Sequence, residues 1–283
     1  MPYNHSGEIG DIWKHLPLCA VLSNESPTRY HESNSSYAEW QIPFTARTEY
    51  GVFHLLKNGK VVGLRDSLYF KILEKLDTNA TNHYLGSPGL SMTCLQSICN
   101  NYFFHDLENE SLEDIVNFSK KMNLLGKIST FCGDSISAFL STEYCLSKDD
   151  FVFLDPYSPF DNNIDGYNFF DVFIKASENQ SMTMFWYGYN DLNGKARIAE
   201  TFKKIKREQA NSRIHTFDIW LSCMQQASCK INPGVPGCGI AVANLSSHSI
   251  TQIIDCQKII GQIYKDAIYC GVNASLSIGH DIP

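Results

Sequence analysis

Seven short apolar, β-rich runs alternate with segments of helical period along almost the whole chain, and no other feature restricts the possible folds so strongly. The runs are TRYHE (28–32), YFFHDL (102–107), KISTFCGD (127–134), DFVFLDP (150–156), SMTMFWYGY (181–189), RIHTFDIWLSC (213–223) and GCGIAVANL (237–245). DIWKHLPLCAVL precedes the first run. PGLSMTCLQSICNN, SLEDIVNFSKKMNLL, SISAFLSTEY, NNIDGYNFFDVFIKASE and GKARIAETFKKIKREQA fall between later ones, and SITQIIDCQKIIGQIYKDAI follows the last. A crossover helix needs a sheet face on which to bury its apolar stripe. The alternation therefore predicts an α/β fold with a seven-stranded, mostly parallel sheet covered on both faces. Only QQASCKINPGVP joins runs six and seven; it is too rich in turn residues to be a crossover, so these two strands should form a C-terminal antiparallel hairpin. Residues 44–83 have no place in the alternation. They read as a small, partly helical insertion after the first strand, with 1–43 and 84–283 forming one domain.

With 283 residues, 43% of them hydrophobic, the chain can bury a core unaided. Its first residues lack a basic segment followed by an apolar one, and no apolar run is long enough to span a bilayer, so a cytoplasmic location without membrane contact is expected. The ten cysteines are scattered without a CxxC pair and read as reduced, mostly buried thiols. Cys223, Cys229 and Cys238 cluster near a turn, but their irregular spacing does not suit zinc, and no metal is expected. The net charge of −7 opposes nonspecific attraction to nucleic acid, although a local patch can still steer a polyanion. KKIKRE (203–208) is the densest basic run, and it reads first as the solvated face of a helix.

In open α/β sheets, ligands bind beyond the carboxyl ends of the strands. Acids fall there in succession: Glu32 after the first run, Asp106 after the second, Asp134 after the third and Asp155 after the fourth. Each alone is also a common turn former or helix N-cap. A glycine fingerprint for a dinucleotide is absent after the first strand, and there is no GxSxG elbow for a hydrolase.

The opening HSGEIGDIWKH, with His5, Gly7, Asp11, Lys14 and His15 at fixed intervals, resembles the N-terminal signature of the RlmJ-type bacterial 23S ribosomal RNA adenine-N6 methyltransferases. YLGSPG (84–89) is similar to that family's YPGSP element, and HDL, CGDS and LDPYSPF resemble its three acidic strand ends. MFWYGY and NPGVPGCGIAVAN are similar to its last strands, so the resemblance runs from about His5 to Tyr269. It implies a Rossmann-like class I methyltransferase fold, S-adenosylmethionine as methyl donor and RNA as partner. Carried across, it implies that Lys14, His15, Asn34, Ser87, Asp106 and Asp134 surround the donor. Asp106 would accept the ribose hydroxyls and Asp134 the adenine amine.

Two departures bear on this. Where the family has a glycine-rich first loop, this chain has Ser33, Asn34, Ser35, Ser36, Tyr37 and Ala38, with Asn34 in place of a histidine. The family's catalytic Asp-Pro-Pro-Tyr corresponds to Asp155, Pro156, Tyr157, Ser158, Pro159 and Phe160. An exocyclic aromatic amine is a poor nucleophile, because its lone pair is delocalised into the ring. A carboxylate at Asp155 and the carbonyl of Pro156 would orient it toward the donor methyl, while an aromatic ring stacks on the base. Tyr157 is the favoured ring; Phe160 takes that place if Tyr-Ser is an insertion.

The expected function is therefore S-adenosylmethionine-dependent N-methylation, of adenine N6 in RNA above all. The alternatives are a noncatalytic binding module on the same fold, or an enzyme directed to DNA, protein or a small amine.

Overall fold

The computed structural model describes residues 5–209, 213–226 and 229–281. Ala210, at the end of the sixth expected helix, and Ala227 and Ser228 of the link between runs six and seven lie outside them. Eight strands form the main sheet: β1 (Arg29–Ser33), β2 (Asn101–Asp106), β3 (Ile128–Cys132), β4 (Asp150–Leu154), β5 (Met182–Tyr189), β6 (Ile214–Leu221), β7 (Gly237–Ala243) and β8 (Leu276–Asp281). Their order is β8-β6-β7-β5-β4-β1-β2-β3. β3, β2, β1, β4 and β5 pair in parallel, and β7 runs antiparallel between β5 and β6. This is the Rossmann-like topology of class I methyltransferases, including the antiparallel pairing expected from the turn-rich link.

The expected count of seven strands is corrected to eight, because β8 pairs antiparallel with β6 at one edge. Its sequence, LSIGHD, is polar and only partly buried, so it lacks the apolar run that marks the other strands.

Seven helices pack on the sheet: α1 (Ile9–Glu25), α2 (Ser87–Leu95), α3 (Asn109–Lys121), α4 (Ser135–Leu140), α5 (Phe169–Glu178), α6 (Leu192–Glu208) and α7 (Ser247–Ile263). Side chains alternate along each strand, so successive residues serve opposite layers. In β4, Phe151 and Phe153 join the cluster built on α1, α2, α3 and α7, while Val152 and Leu154 join that of α4, α5 and α6. β5 divides in the same way, Met184 and Trp186 on the first side and Phe185, Tyr187 and Tyr189 on the second. β4 is fully buried, as a central parallel strand covered on both faces must be.

Residues 44–83 form short helical turns and the helix Leu68–Lys75, between the strands Glu39–Gln41 and His83–Leu85 that pair antiparallel with each other. Tyr50, Val52, Phe53, Leu55, Tyr69 and Leu73 share a core with α1 and α7. Gly51 holds this segment against the entry to α1: a Cβ there would lie 2.0 Å from the carbonyl oxygen of Gly7, and the Val52 N–H donates to that same oxygen.

The cysteine reading is corrected in part. Cys19, Cys99, Cys238 and Cys256 are buried free thiols, but Cys132, Cys145 and Cys270 are exposed, and Cys223 and Cys229 are joined in a disulfide across a short loop. No helix among the described residues is long and apolar enough to cross a membrane.

Candidate active site

At the carboxyl ends of β1, β4 and β5 lies a cavity of about 840 Å³, walled by the start of α1, the loop after β1, the start of α2 and the loop after β4. The placement follows from topology. β1 and β4 are neighbours, their ends diverge into separate loops, and the gap between those loops is left open.

Three charged side chains form its centre. Asp11 and Lys14 lie one turn apart on α1 and so share a face. The Lys14 ammonium donates to Asp155 Oδ2 at 2.6 Å and pairs with Asp11 Oδ1 at 2.9 Å. All three side chains are at least 86% buried. Burial alone would pull the Lys14 pKa down, but the two carboxylates outweigh it and hold the ammonium above its usual range. Burial pushes the Asp155 carboxyl up, and the attraction of Lys14 offsets this only in part because Asp11 adds a second negative charge. For Asp11, burial is outweighed by Lys14 and by the Gly7 N–H, which donates at 2.8 Å, so its pKa falls. Two carboxylates around one ammonium leave a net negative charge on this wall, which favours a cationic ligand.

His15 is buried beside them, with Nδ1 2.8 Å from the Tyr84 hydroxyl. Burial drives its pKa to about 3, so it is neutral, and its Nε2 has no partner among the described residues. Asn34 Oδ1 is a second buried polar atom on the cavity wall without a partner. Such orphaned atoms are uncommon in folded proteins, and others lie away from the cavity, among them Tyr102 OH and His215 Nδ1.

The loop after β1 explains how the chain does without glycines there. Asn34 and Ser36 take the left-handed conformation, with φ of 54° and 58°. The loop's amides turn inward: Ser35 N–H to the His105 carbonyl at 3.0 Å, Ser36 N–H to Asp106 Oδ2 at 2.7 Å, and Ala38 N–H to Asp114 Oδ2 at 2.8 Å. The glycines needed for close approach stand on the opposing element. A Cβ on Gly86 would lie 2.2 Å from the Tyr37 carbonyl oxygen, and one on Gly89 2.4 Å from that of Ala38. Ser87, between them, donates to Glu32 Oε1 at 2.5 Å, while Tyr30 donates to Oε2 at 2.7 Å. Burial raises the Glu32 pKa to about 8 despite these two donors.

The structure thus brings together Lys14, His15, Asn34, Ser87, Asp155 and Tyr157 around one cavity. Pro156 follows Asp155 as a buried residue and has no N–H to compete for its neighbours. Asp106 and Asp134 do not line the cavity. Asp106 braces the first loop through Ser36 and also accepts the Glu108 N–H at 2.8 Å. Asp134 caps α4, accepting the N–H groups of Ile136 and Ser137, and takes further bonds from the Ser137 hydroxyl and from Asn163 at 3.1 Å; partial burial raises its pKa, but these donors, the Ser137 hydroxyl first, outweigh it and lower it. The two candidate aromatic rings are placed differently. Phe160 packs on Phe170 with ring centroids 4.9 Å apart and lies under the Arg197 guanidinium, whereas Tyr157 lines the cavity with its side chain 88% exposed.

Sequence reasoning missed Trp186. It lines the cavity from β5, in a slot left by Gly10 and Gly188, with the Lys14 ammonium 5.5 Å from its ring centroid. The signal was the alternation of MFWYGY, which sends Trp186 to the α1 side and its neighbours to the other.

No family model matches the chain, and no curated protein matches it. Among solved structures, protein LPL1258 of Legionella pneumophila, a DUF519 family-model protein, is 17% identical over 98% of both chains with a TM-score of 0.71. An O-methyltransferase of Bacillus cereus in complex with SAH is 10% identical, covering 81% of this chain and 80% of its own, with a TM-score of 0.44. A putative RNA methyltransferase, PH1948 of Pyrococcus horikoshii, is 9% identical over 82% and 81%, with a TM-score of 0.39. The last two overlap too loosely to add to the argument, and the first speaks to the fold alone. Nothing in these likenesses distinguishes the RlmJ-type family from other proteins of the class I methyltransferase fold, which is the fold of this chain.

Proposed function

We infer that this protein is an S-adenosylmethionine-dependent methyltransferase acting on an exocyclic amine, adenine N6 of RNA. The observation that carries the reading is Asp155: it emerges from the end of β4 onto the cavity, with one oxygen held by Lys14. The cavity suits the donor in charge: its central charges sum to −1, opposite to a sulfonium.

When bound, the donor supplies an electrophilic methyl group. The chain's own residues supply placement. Lys14 fixes the Asp155 carboxylate through Oδ2, which leaves Oδ1, with the Pro156 carbonyl, to accept hydrogen bonds from the amine and direct its lone pair. Tyr157 offers a ring against the base, a contact worth about 1–3 kcal/mol. Methylation leaves a surplus proton on the amine nitrogen, and a carboxyl raised by burial is suited to take it. Lys14, His15, Asn34 and Ser87 are the residues proposed to hold the donor.

The test is transfer of labelled methyl from S-adenosylmethionine into fractionated cell RNA, DNA and protein. Label in RNA that is lost in Asp155→Ala, with S-adenosylhomocysteine affinity retained, supports the reading. Label confined to DNA, protein or small amines redirects the acceptor. Donor binding with no transfer to any fraction makes the protein a binding module.

A further inference from the structure

The densest basic run is matched in part by acids. Lys203 pairs with Glu200 at 4.0 Å, Lys204 with Glu208 at 3.9 Å and Lys206 with Asp281 at 2.9 Å, on and around α6. A second concentration of positive charge lies in the insertion. Residues 44–83 carry six Lys and Arg against four Asp and Glu, whereas the rest of the chain carries 17 against 26. The insertion is thus net positive in an acidic protein, as α6 also is, and it adjoins the cavity.

Within it, Lys57, Lys60 and Arg65 line a groove of about 470 Å³. Lys60 and Arg65 are exposed, and neither is ion-paired with another described residue; Lys57 reaches Glu49 at 3.4 Å in the open. Glu74 and Asp77, also exposed, stand in the same groove, so an anion is favoured on its Lys60 and Arg65 side and repelled from the side of the two acids. Short helical turns from Ala46 to Lys57, broken at Gly51, where ψ is −116°, connect the two places. Arg47, near their start, is on the cavity wall and pairs with Glu8 at 3.4 Å, and Lys57, at their end, is on the groove. Ten residues therefore separate the two, a gap that a few nucleotides bridge. Phe44, at the cavity end, is 64% exposed and so offers a ring on which an unpaired base can stack.

We propose that the insertion is the backbone track for the acceptor: an RNA strand whose base enters the Asp155 cavity lays its phosphates past Arg47 and along Lys57, Lys60 and Arg65. This rests on the RNA reading above. The contacts are to phosphate, so they set affinity and register and leave the base to the cavity.

The test is binding of a single-stranded RNA oligonucleotide across a salt series, for wild type, Lys60→Gln/Arg65→Gln and Lys203→Gln/Lys204→Gln, with S-adenosylhomocysteine affinity measured on each. Each phosphate neutralised contributes about 0.7 to the log–log salt slope for single strands. The insertion variant is expected to bind RNA more weakly with a slope shallower by about 1.4, to keep donor-product affinity, and to show a raised KM for RNA. The α6 variant is expected to match wild type. A wild-type slope in the insertion variant, or a reduced slope in the α6 variant alone, overturns the track while leaving the enzyme reading intact. If the wild type binds S-adenosylhomocysteine but no RNA at any salt, the RNA reading fails and takes the track with it.

Discussion

Lys14→Met removes the cation between two buried carboxylates and keeps the side chain's apolar length. In the wild type, bonds of 2.6 and 2.9 Å join the ammonium to Asp155 and Asp11. Their oxygens are therefore no more than about 5.5 Å apart, and two unit charges at that distance repel by about 3 kcal/mol at an effective dielectric near 20. That figure agrees with the usual loss of about 3–5 kcal/mol when one member of a buried ion pair is deleted. The repulsion can be relieved by protonating Asp155, whose carboxyl burial already raises above 3.8. In the variant its folded pKa rises further, the native state binds more protons than the unfolded chain, and stability falls as pH climbs through that interval. Urea denaturation should show a deficit of about 3 kcal/mol at pH 7 that shrinks toward the ordinary carboxylate range, with unchanged m. Adding Asp11→Asn should recover most of the loss at pH 7, because one carboxylate then remains. A deficit that is the same at every pH, or that Asp11→Asn fails to relieve, would refute the charge-balance argument.

Four other outcomes follow from the geometry. Tyr157→Ala should leave stability within about 0.5 kcal/mol and raise the KM for RNA by roughly 10- to 100-fold, whereas Phe160→Ala should destabilise the fold, since its ring packs on Phe170 and carries Arg197; the reverse pattern would exchange their roles. Gly86→Ala should abolish donor binding, because its methyl group would collide with the Tyr37 carbonyl and displace the first loop, an effect calorimetric titration reads directly. Glu32 has a folded pKa of about 8 against a usual 4.5, so stability should fall between those pH values, and Glu32→Gln should flatten that slope in denaturation curves. Asp134→Ala should cost about 1 kcal/mol through loss of the α4 cap, read by thermal unfolding, and a much larger loss of donor affinity than of stability would return Asp134 to the binding site.

What the sequence revealed and concealed divides along physical lines. Apolar, β-rich runs announce strands, and all seven such runs became strands of the sheet, the mostly exposed edge strand β3 among them. β8 did not, because an edge strand of mixed polarity pairs through its backbone. Acids at strand ends were legible as positions, but not as orientations. Asp155 faces an open cavity across from Lys14, whereas Asp134 turns onto the amides of its own helix, and DPYSPF and CGDS do not differ in any way that foretells this. Lys14 was legible through its spacing from Asp11; that it bridges to a residue 141 positions away was not. The serine loop departs from a glycine-rich one, yet the glycines that permit close packing stand in YLGSPG. KKIKRE drew the eye as a run, while Lys60 and Arg65, five residues apart, gain meaning only when folded beside Lys57.

Titration with S-adenosylmethionine and S-adenosylhomocysteine, on wild type and on Asp155→Asn, tests the central claim most directly, because the two ligands differ by the methyl group and its positive charge. Saturable binding of both is predicted, with the sulfonium form favoured in the wild type and that preference reduced in Asp155→Asn. Absence of heat with either ligand, or a preference for the neutral form that the substitution leaves untouched, would contradict a methyl donor seated against Asp155.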